Sequence, residues 1–280
     1  MTNAHTYLTA LRWGEDQLQE TTADPAAAQY LLLESHRWSF TQLVQHYRDP
    51  MPNAEWVTYQ QQIARIVAGE PAQYILGRAP FYGHDFRVTP ATLIPRQETE
   101  ELVAWILDDV VAVGQHVLDV GTGSGAIAVT LKTQRPEWLV TATDISAEAV
   151  AVARENAMAQ HAEVTFAVGD LFTPVAGQRF DVIVSNPPYI DRSETAVMDD
   201  SVKRFEPDQA LFAADHGLAF YRRFAAELAQ RLTPTGQFFA EIGYQQGAVV
   251  RAIFETALPT ATVTIRQDIN GQDRMVRVQL

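Results

Sequence analysis

Four consecutive residues, Asn186, Pro187, Pro188 and Tyr189, have the types and the order needed to hold a flat amino or amide group. The Asn186 side-chain oxygen and the Pro187 carbonyl oxygen can each accept a hydrogen bond, one from each N–H of an NH2 group. The Tyr189 ring can stack on the plane of that group. The same residues are also compatible with an ordinary Pro-Pro turn after a strand, so their neighbours must decide.

The stretch before this tetrapeptide, residues 180–185, is mostly apolar and rich in β-branched side chains. Such a run, ending abruptly at two prolines, predicts a buried strand of a parallel sheet. In open α/β sheets, ligands bind beyond the carboxyl ends of the strands. We therefore expect Asn186 to lie at a ligand site.

A glycine-rich loop follows another apolar stretch, residues 116–120, and runs straight into a helix. The loop consists of Gly121, Thr122, Gly123, Ser124 and Gly125. Its three glycines let the backbone approach a ligand closely, as in nucleotide-binding loops. The loop alone does not identify a ligand, because tight strand-to-helix turns also use glycine for steric reasons.

Two further predicted strands end in carboxylates. The strand at 139–144 ends in Asp144, where a carboxylate about twenty residues after the loop can accept from both hydroxyls of a ribose. A helix cap is the other interpretation of Asp144. The strand at 164–168 is followed by Asp170, which can accept from an adenine amino group, and by Leu171, which can pack on the ring. Four polar strand ends at one edge of a sheet predict a nucleoside-type ligand.

The rest of the chain predicts the elements that position this site. Residues 1–75 have helical periodicity, which predicts a small N-terminal all-helical domain, and we interpret it as the substrate-recognition domain. Glycines and prolines at 76–97 predict a β-hairpin linker. Residues 98–280 alternate strands and helices and end in two strands around an Asn-Gly turn signal. Within them, 233–236 is predicted to be a turn that precedes a strand at 237–242.

With 280 residues, 47% hydrophobic and 20% charged, the chain has the composition of a globular protein of about two domains. The absence of cysteine excludes disulfides and thiolate metal sites, and the 7 histidines lack metal-ligand spacing, so no metal is expected. A net charge of −13 disfavours a nucleic-acid partner, because phosphate contacts dominate such affinity. No leader or membrane span is recognisable, so we expect a cytoplasmic monomer without a membrane partner.

Together these features resemble the release-factor glutamine methyltransferases (the PrmC/HemK family) among the class I S-adenosylmethionine-dependent methyltransferases. The resemblance covers nearly the whole chain and includes, besides the strand ends, the blocks at 71–77, 93–100, 206–211 and 268–274. Gln97 stands where the family usually has proline, which concerns only the start of the helix that follows. The Asn-Pro-Pro-Tyr tetrapeptide alone is shared with DNA adenine methyltransferases, so the resemblance depends on the other blocks.

The resemblance implies a Rossmann-like seven-stranded methyltransferase sheet with a terminal antiparallel hairpin, a small N-terminal all-helical domain and a linking β-hairpin. It implies methyl transfer from S-adenosyl-L-methionine to the side-chain amide nitrogen (N5) of the glutamine in the Gly-Gly-Gln motif of peptide chain release factors. The implied cofactor-binding residues are Gly121, Thr122, Gly123, Ser124, Gly125, Asp144, Asp170, Leu171 and Asn186. The implied substrate-binding residues are Asn186, Pro187, Pro188 and Tyr189, and all of these except Pro188 are implied to be catalytic.

Three points stay open at the level of the sequence. An exocyclic-amino methyltransferase acting on nucleic acid would use the same tetrapeptide on a flipped base, although the acidic charge argues against it. A nicotinamide-dependent dehydrogenase or a nucleoside-binding module would leave the tetrapeptide without a function. Arg96 and Glu98 are either ordinary helix-start residues or residues at the mouth of the site, and their roles are open. Separately, Tyr189→Phe is expected to be mild, because stacking does not need the hydroxyl.

Overall fold

The computed structural model of the chain describes residues 5–280, without the side chain of Val197. The first part is helical, with α1 Tyr7–Gln19, α2 Ala26–His36, α3 Phe40–His46, α4 Asn53–Val67 and α5 Ala72–Leu76. A two-stranded hairpin follows, with β1 Arg78–Phe81 and β2 His84–Arg87. The remaining helices and strands are α6 Gln97–Asp109, β3 His116–Val120, α7 Ala126–Gln134, β4 Leu139–Asp144, α8 Ala147–Ala159, β5 Val164–Val168, β6 Phe180–Ser185, α9 Asp200–Phe205, α10 Asp208–Leu211, α11 Ala219–Arg231, β7 Leu232–Glu241, α12 Gly247–Ala257, β8 Thr262–Gln267 and β9 Asp273–Gln279.

Contacts divide the chain into two compact units. One comprises the residues up to Arg78 together with Met198–Phe205, and the other comprises Ala79–Val197 and Glu206–Leu280. The predicted division into domains at 1–75, 76–97 and 98–280 stays a prediction, because residue contacts do not reveal which segments fold independently. No helix among residues 5–280 is both long and apolar enough to cross a membrane.

The helical unit has a core of its own. Fully or nearly fully buried side chains from three helices meet there, among them Leu18, Leu31, Tyr59 and Ile63. Local signals set where two of these helices begin, because Thr6 and Ser39 cap the first turns of α1 and α3 with reciprocal side-chain hydrogen bonds. The predicted helical character of this part of the chain is confirmed.

The second unit is built on a seven-stranded sheet in the order β5-β4-β3-β6-β7-β9-β8. Strands β3 to β7 pair in parallel, whereas β9 pairs antiparallel with both β7 and β8. After β5 the chain returns to the other side of β3, so the strand order reverses between β3 and β6. In such sheets this reversal opens a crevice at the carboxyl ends of the two strands.

Helices cover both faces of this sheet. Successive residues of a strand point to opposite faces, and Val182 and Val184 accordingly belong to one buried cluster while Ile183 belongs to another. The first cluster includes side chains of α6, α7 and α8, and the second includes those of α11 and α12. This arrangement confirms the predicted α/β class, in which strands buried on both faces read as continuous apolar runs.

One predicted boundary is wrong. The strand β7 begins at Leu232 rather than after the stretch 233–236, which forms a bulge inside it. Two residues of β6, Phe180 and Val182, pair with Leu232 and Gln237, so several residues of β7 are looped out between them. The Thr233 hydroxyl donates to Asp181 Oδ1 over 2.9 Å and supports this bulge.

Candidate active site

A cavity lies at the carboxyl edge of the sheet, where the strand order reverses. Its wall is formed by residues that follow β3, β4, β5 and β6, and by segments before α6 and around α10 and α11. The lining includes Gly121, Thr122, Gly123, Ser124, Asp144, Asp170, Leu171, Asn186, Pro187 and Pro188, together with Arg96, Thr99 and Ile145. The structure therefore brings most of the residues predicted from the sequence to one cavity.

The glycine loop is held to its neighbours by backbone hydrogen bonds. The N–H groups of Gly121 and Thr122 both donate to the Thr143 carbonyl, at 2.8 and 2.9 Å. Gly121 and Gly123 have left-handed backbones, with φ of 75° and 55°, and a Cβ atom added to either would have no other part of the protein within 4 Å. The loop thus leaves open space where a ligand can approach the backbone.

Gly125 serves a different purpose from these two glycines. It caps α7 with a φ of 82°, and a Cβ atom at this position would lie 3.1 Å from the Ala153 Cβ. The absence of a side chain therefore permits close packing of the loop on α8. Gly125 is not among the described residues that line the cavity.

This packing gives a matched pair of variants. Gly125→Ala and Gly177→Ala both place alanine at positive φ, but Gly177 has open space around it. We expect Gly125→Ala to lower the free energy of unfolding by about 1–3 kcal/mol more than Gly177→Ala, because only the first overpacks a contact. Thermal unfolding of both variants measures the difference. Equal melting temperatures would show that α8 moves away without cost.

The carboxylate of Asp144 is held rigidly. Its Oδ2 accepts from the Gly123 N–H over 2.8 Å and its Oδ1 accepts from the Ser146 N–H over 2.9 Å. Burial raises the pKa of Asp144, while these hydrogen bonds oppose the rise. The cap of α8 is Ser146, whose hydroxyl oxygen accepts from the Ala149 N–H. The carboxylate therefore links the glycine loop to β4 rather than capping the helix.

The other predicted nucleoside contacts lie at the end of β5. Leu171 is nearly fully buried and lines the cavity. Asp170 lines it too, but its Oδ2 accepts from Arg223 over 2.5 Å and its side chain remains about half exposed. An adenine amino group would thus share this carboxylate with a guanidinium, a feature that no sequence spacing indicated.

Asn186 is held by strand β3, through its neighbour Ser185, and by helix α6. The neighbouring Ser185 hydroxyl donates to the Val120 carbonyl over 2.7 Å, which ties the end of β6 to the end of β3. The Asn186 Nδ2 donates to Thr99 Oγ1 over 3.1 Å, which leaves Oδ1 without a partner among the described residues. Within the same part of the chain, the Pro187 carbonyl takes part in no backbone hydrogen bond. Two consecutive residues that line the cavity therefore each have an acceptor available.

Tyr189 differs from the other three residues of the tetrapeptide in its relation to the cavity. Asn186, Pro187 and Pro188 line the cavity, whereas Tyr189 is not among the described residues that line it. Its hydroxyl donates to Glu241 Oε1 over 2.9 Å, and burial beside this carboxylate raises its pKa. Removing that hydroxyl would leave a buried carboxylate oxygen without a donor, at a cost of about 1–3 kcal/mol. The stacking role and the expectation that Tyr189→Phe is mild for activity stay predictions, to which the structure adds an expected loss of stability.

Two polar residues beside the site, Thr99 and Glu241, were not predicted to act there. Thr99 lines the cavity, although its position in the helix-start block gave no reason to single it out. Its hydroxyl donates to Glu241 Oε2 over 2.7 Å, and Glu241 ends β7 almost fully buried. An acidic residue closing an apolar strand was the signal that could have identified Glu241. Arg96 also lines the cavity and pairs with the buried carboxylate of Glu206.

Asp119 is a buried residue that supports the glycine-rich loop by hydrogen bonds. It is completely buried, and its Oδ2 accepts from the Thr122 hydroxyl over 2.6 Å and from the Ala128 N–H over 3.2 Å. Burial raises its pKa to about 7 against these two hydrogen bonds. Its Oδ1 has no hydrogen-bond partner within the described residues. One oxygen of this buried carboxylate therefore still lacks a hydrogen-bond donor.

The donor and acceptor groups at this edge fit a nucleoside that carries a polar chain. Open backbone at the glycine loop can accommodate the chain, and Asp144 can accept from sugar hydroxyls with its remaining lone pairs. Apolar side chains next to the two carboxylates, Ile145 and Leu171, can enclose a flat base. Asn186 and the Pro187 carbonyl then remain for a second group. Among the described residues, no cluster of three or more acidic or histidine side chains is placed to hold a metal.

Comparison with known proteins first defines the class. The Methyltransferase small domain family matches residues 99–206. A solved methyltransferase of Pyrococcus furiosus is similar to the chain with a TM-score of 0.54 and 19% identity, covering 79% of this chain and 96% of that one. The 16S rRNA N2 G1207 methyltransferase of Thermus thermophilus, solved with AdoMet and guanosine, has a TM-score of 0.52 at 17% identity, covering 72% and 49%. These similarities concern the fold, which is that of a methyltransferase.

Full-length relatives then define the family. The PrmC N-terminal domain matches residues 9–77. The release factor glutamine methyltransferase of Enterococcus faecalis is 42% identical over 97% of this chain and 98% of its own length. That of Bacillus subtilis is 39% identical over 97% of this chain and 96% of its own. The chain belongs to the release factor glutamine methyltransferase family, which confirms the resemblance seen in the sequence.

Proposed function

We propose that this protein transfers the methyl group of S-adenosyl-L-methionine to the side-chain amide nitrogen of the glutamine in the Gly-Gly-Gln motif of peptide chain release factors. The observation that carries the proposal is the pair of free acceptors, Asn186 Oδ1 and the Pro187 carbonyl, at the wall of a nucleoside-type cavity. The full-length relatives are named release factor glutamine methyltransferases, which supports the same substrate. A substrate used in translation would place the reaction in the cytoplasm.

The cofactor is proposed to bind along the edge formed by β3, β4 and β5. Asp144 accepts from the ribose hydroxyls, Leu171 packs on the base, and Asp170 accepts from the base amino group while it also pairs with Arg223. The glycine loop provides space for the methionine chain. When bound there, S-adenosylmethionine supplies a methyl group that is already activated by its attachment to a positively charged sulfur.

The protein's main contribution to the transfer is orientation of the amide. An amide nitrogen is a poor nucleophile because its lone pair is delocalised into the carbonyl. Asn186 and the Pro187 carbonyl accept from its two N–H bonds, fix the rotation of the NH2 group and stabilise positive charge that develops on nitrogen. As the new N–C bond forms, the bond between the methyl carbon and the sulfonium sulfur would break and leave the cofactor as a neutral thioether. One of the N–H protons would pass to solvent water, which leaves a neutral N-methyl amide.

The test of this function compares substrate classes. Purified protein is incubated with radiolabelled S-adenosylmethionine and, in parallel, with a release factor, tRNA and duplex DNA. We expect label in the release factor and none in either nucleic acid, since the net charge of −13 repels phosphate backbones. Label in DNA or tRNA but not in the factor would establish the nucleic-acid alternative instead.

The helical unit is proposed to recognise the release factor. Phe40 and Val44 lie one turn apart on α3, with 55% and 42% of their surface exposed, and form an apolar surface suited to a protein partner. Replacing both with serine is expected to raise KM for the release factor by about tenfold without changing cofactor affinity. The matched control replaces Val111 and Val113, which are more exposed but lie before β3. Equal effects of the two double variants would contradict the proposal.

A further inference from the structure

A continuous series of hydrogen bonds runs from Asn186, one of the two proposed substrate acceptors, into the core. Asn186 Nδ2 contacts Thr99 Oγ1 over 3.1 Å, and Thr99 Oγ1 contacts Glu241 Oε2 over 2.7 Å. The other oxygen of Glu241 accepts from the Tyr189 hydroxyl over 2.9 Å. Thr99 and Glu241 are 4% and 2% exposed, so water does not compete freely for these groups. These hydrogen bonds join three elements: α6, the end of β6 and the end of β7.

The direction of these hydrogen bonds follows from the chemistry of each group. An ionised carboxylate only accepts, so both hydroxyls must point their protons at Glu241. A hydroxyl has one proton, and the Thr99 oxygen, having donated it, can only accept from Asn186. The Asn186 amide must therefore turn its NH2 towards Thr99. Its oxygen is then directed away from Thr99, the orientation that an acceptor for the substrate N–H requires.

We propose that Thr99 and Glu241 are positioning residues that hold the Asn186 amide in the orientation needed to accept from the substrate. Without the Thr99 acceptor, the two ends of the Asn186 amide become nearly equivalent, and the flipped form presents a donor to the substrate NH2. Such a donor repels the group that it must bind. This inference rests on the proposed function, since it concerns how the same site orients an amino or amide nitrogen.

The same arrangement makes the orientation depend on pH. A protonated Glu241 has a proton to donate to Thr99, which in turn can donate to Asn186, and this reversal favours the flipped amide. The groups that face Glu241 are the Tyr189 hydroxyl, Tyr221, whose hydroxyl donates to the Glu241 backbone carbonyl, Arg274 of β9 and Glu98 of α6. Burial raises the pKa of Glu241, and Arg274 with the two side-chain hydrogen bonds opposes the rise. Activity is therefore lost as pH falls through this pKa, and it is full above it.

The experiment compares Thr99→Val and Thr99→Ser in the full chain. Valine keeps the shape of threonine but cannot accept, so we expect kcat to fall by about tenfold to a hundredfold while cofactor affinity is unchanged. Serine keeps the hydroxyl and is expected to restore most of the lost rate. The control is Thr130→Val, because Thr130 is fully buried in α7 and its hydroxyl has no partner among the described residues. It should unfold at the wild-type temperature or above and retain its kcat.

A second measurement separates positioning from packing. In Glu241→Gln the side chain does not titrate, so the fall of kcat at low pH that we expect for the wild type should disappear. An unchanged acid limb in this variant, or a wild-type kcat in Thr99→Val, would overturn the inference. The activity of the wild-type protein on the release factor distinguishes failure of the proposed function from failure of the positioning role. If it is absent, the proposed function fails, whereas full activity of both wild type and Thr99→Val refutes only the positioning role.

Discussion

Replacing Asn186 with alanine is expected to lower turnover on the release factor by about 10²-fold or more, the loss typical of a preorganised hydrogen-bonding group. Alanine removes one of the two acceptors, so the substrate amide can rotate about its bond to the Pro187 carbonyl and leave the line of methyl transfer. The affinity for S-adenosylmethionine should change far less, because Asp144 and the glycine loop remain. Steady-state kinetics and calorimetry on the same preparation measure the two effects.

The matched control for this variant is Asn270→Ala. Asn270 is exposed in the turn between β8 and β9 and is not among the residues described as lining the cavity. It is expected to retain the wild-type rate. An Asn186→Ala enzyme that also turns over at the wild-type rate would show that the end of β6 has a structural role only.

Replacing Asp144 with alanine is expected to weaken S-adenosylmethionine binding at least tenfold. Hydrogen bonds to a charged carboxylate contribute about 1.5–3 kcal/mol, which corresponds to about a tenfold to hundredfold change in affinity. The variant also loses the acceptor that holds the Gly123 N–H, so the glycine loop becomes less ordered. Calorimetric titration of the folded variant with S-adenosylmethionine gives the affinity directly.

Ser146→Ala is the control that separates loss of the ribose contact from disturbance of the start of α8. It removes the cap of α8 two residues away, at a cost of about 1 kcal/mol in stability, and keeps the Asp144 carboxylate. We expect it to bind the cofactor as the wild type does. Equal affinities of Asp144→Ala and wild type would refute the assignment of the ribose contact, and tight binding of NADH would favour a dehydrogenase.

Much of the fold followed from the sequence because burial leaves a regular pattern. Strands covered on both faces appear as continuous apolar runs, and the ends of β4, β5 and β6 lie at or within one residue of their predicted positions. Since parallel strands end at a common edge, the residues that follow them had to meet, and Asp144, Leu171 and Asn186 do line one cavity. The residues at the carboxyl edge of the sheet could therefore be predicted from the sequence.

The residues that hold the site residues in place could not be predicted from the sequence in this way. Thr99 and Asn186 are 87 residues apart, and Glu241 lies 142 residues from Thr99, so only the folded sheet brings them together. The pairing of Asp170 with Arg223 of α11 has the same origin. The bulge in β7 was missed for a local reason, because Pro234 and Gly236 usually end a strand but here are looped out of it.

The most direct test of the proposed activity is to locate the methyl group on its substrate. A release factor is treated with the protein and S-adenosylmethionine, digested and sequenced by tandem mass spectrometry, beside a factor whose Gly-Gly-Gln glutamine is replaced with alanine. We predict one added methyl group on the side-chain amide nitrogen of that glutamine, and none in the altered factor. A methyl group on any other residue, or methylation of the altered factor at the same rate, would contradict it.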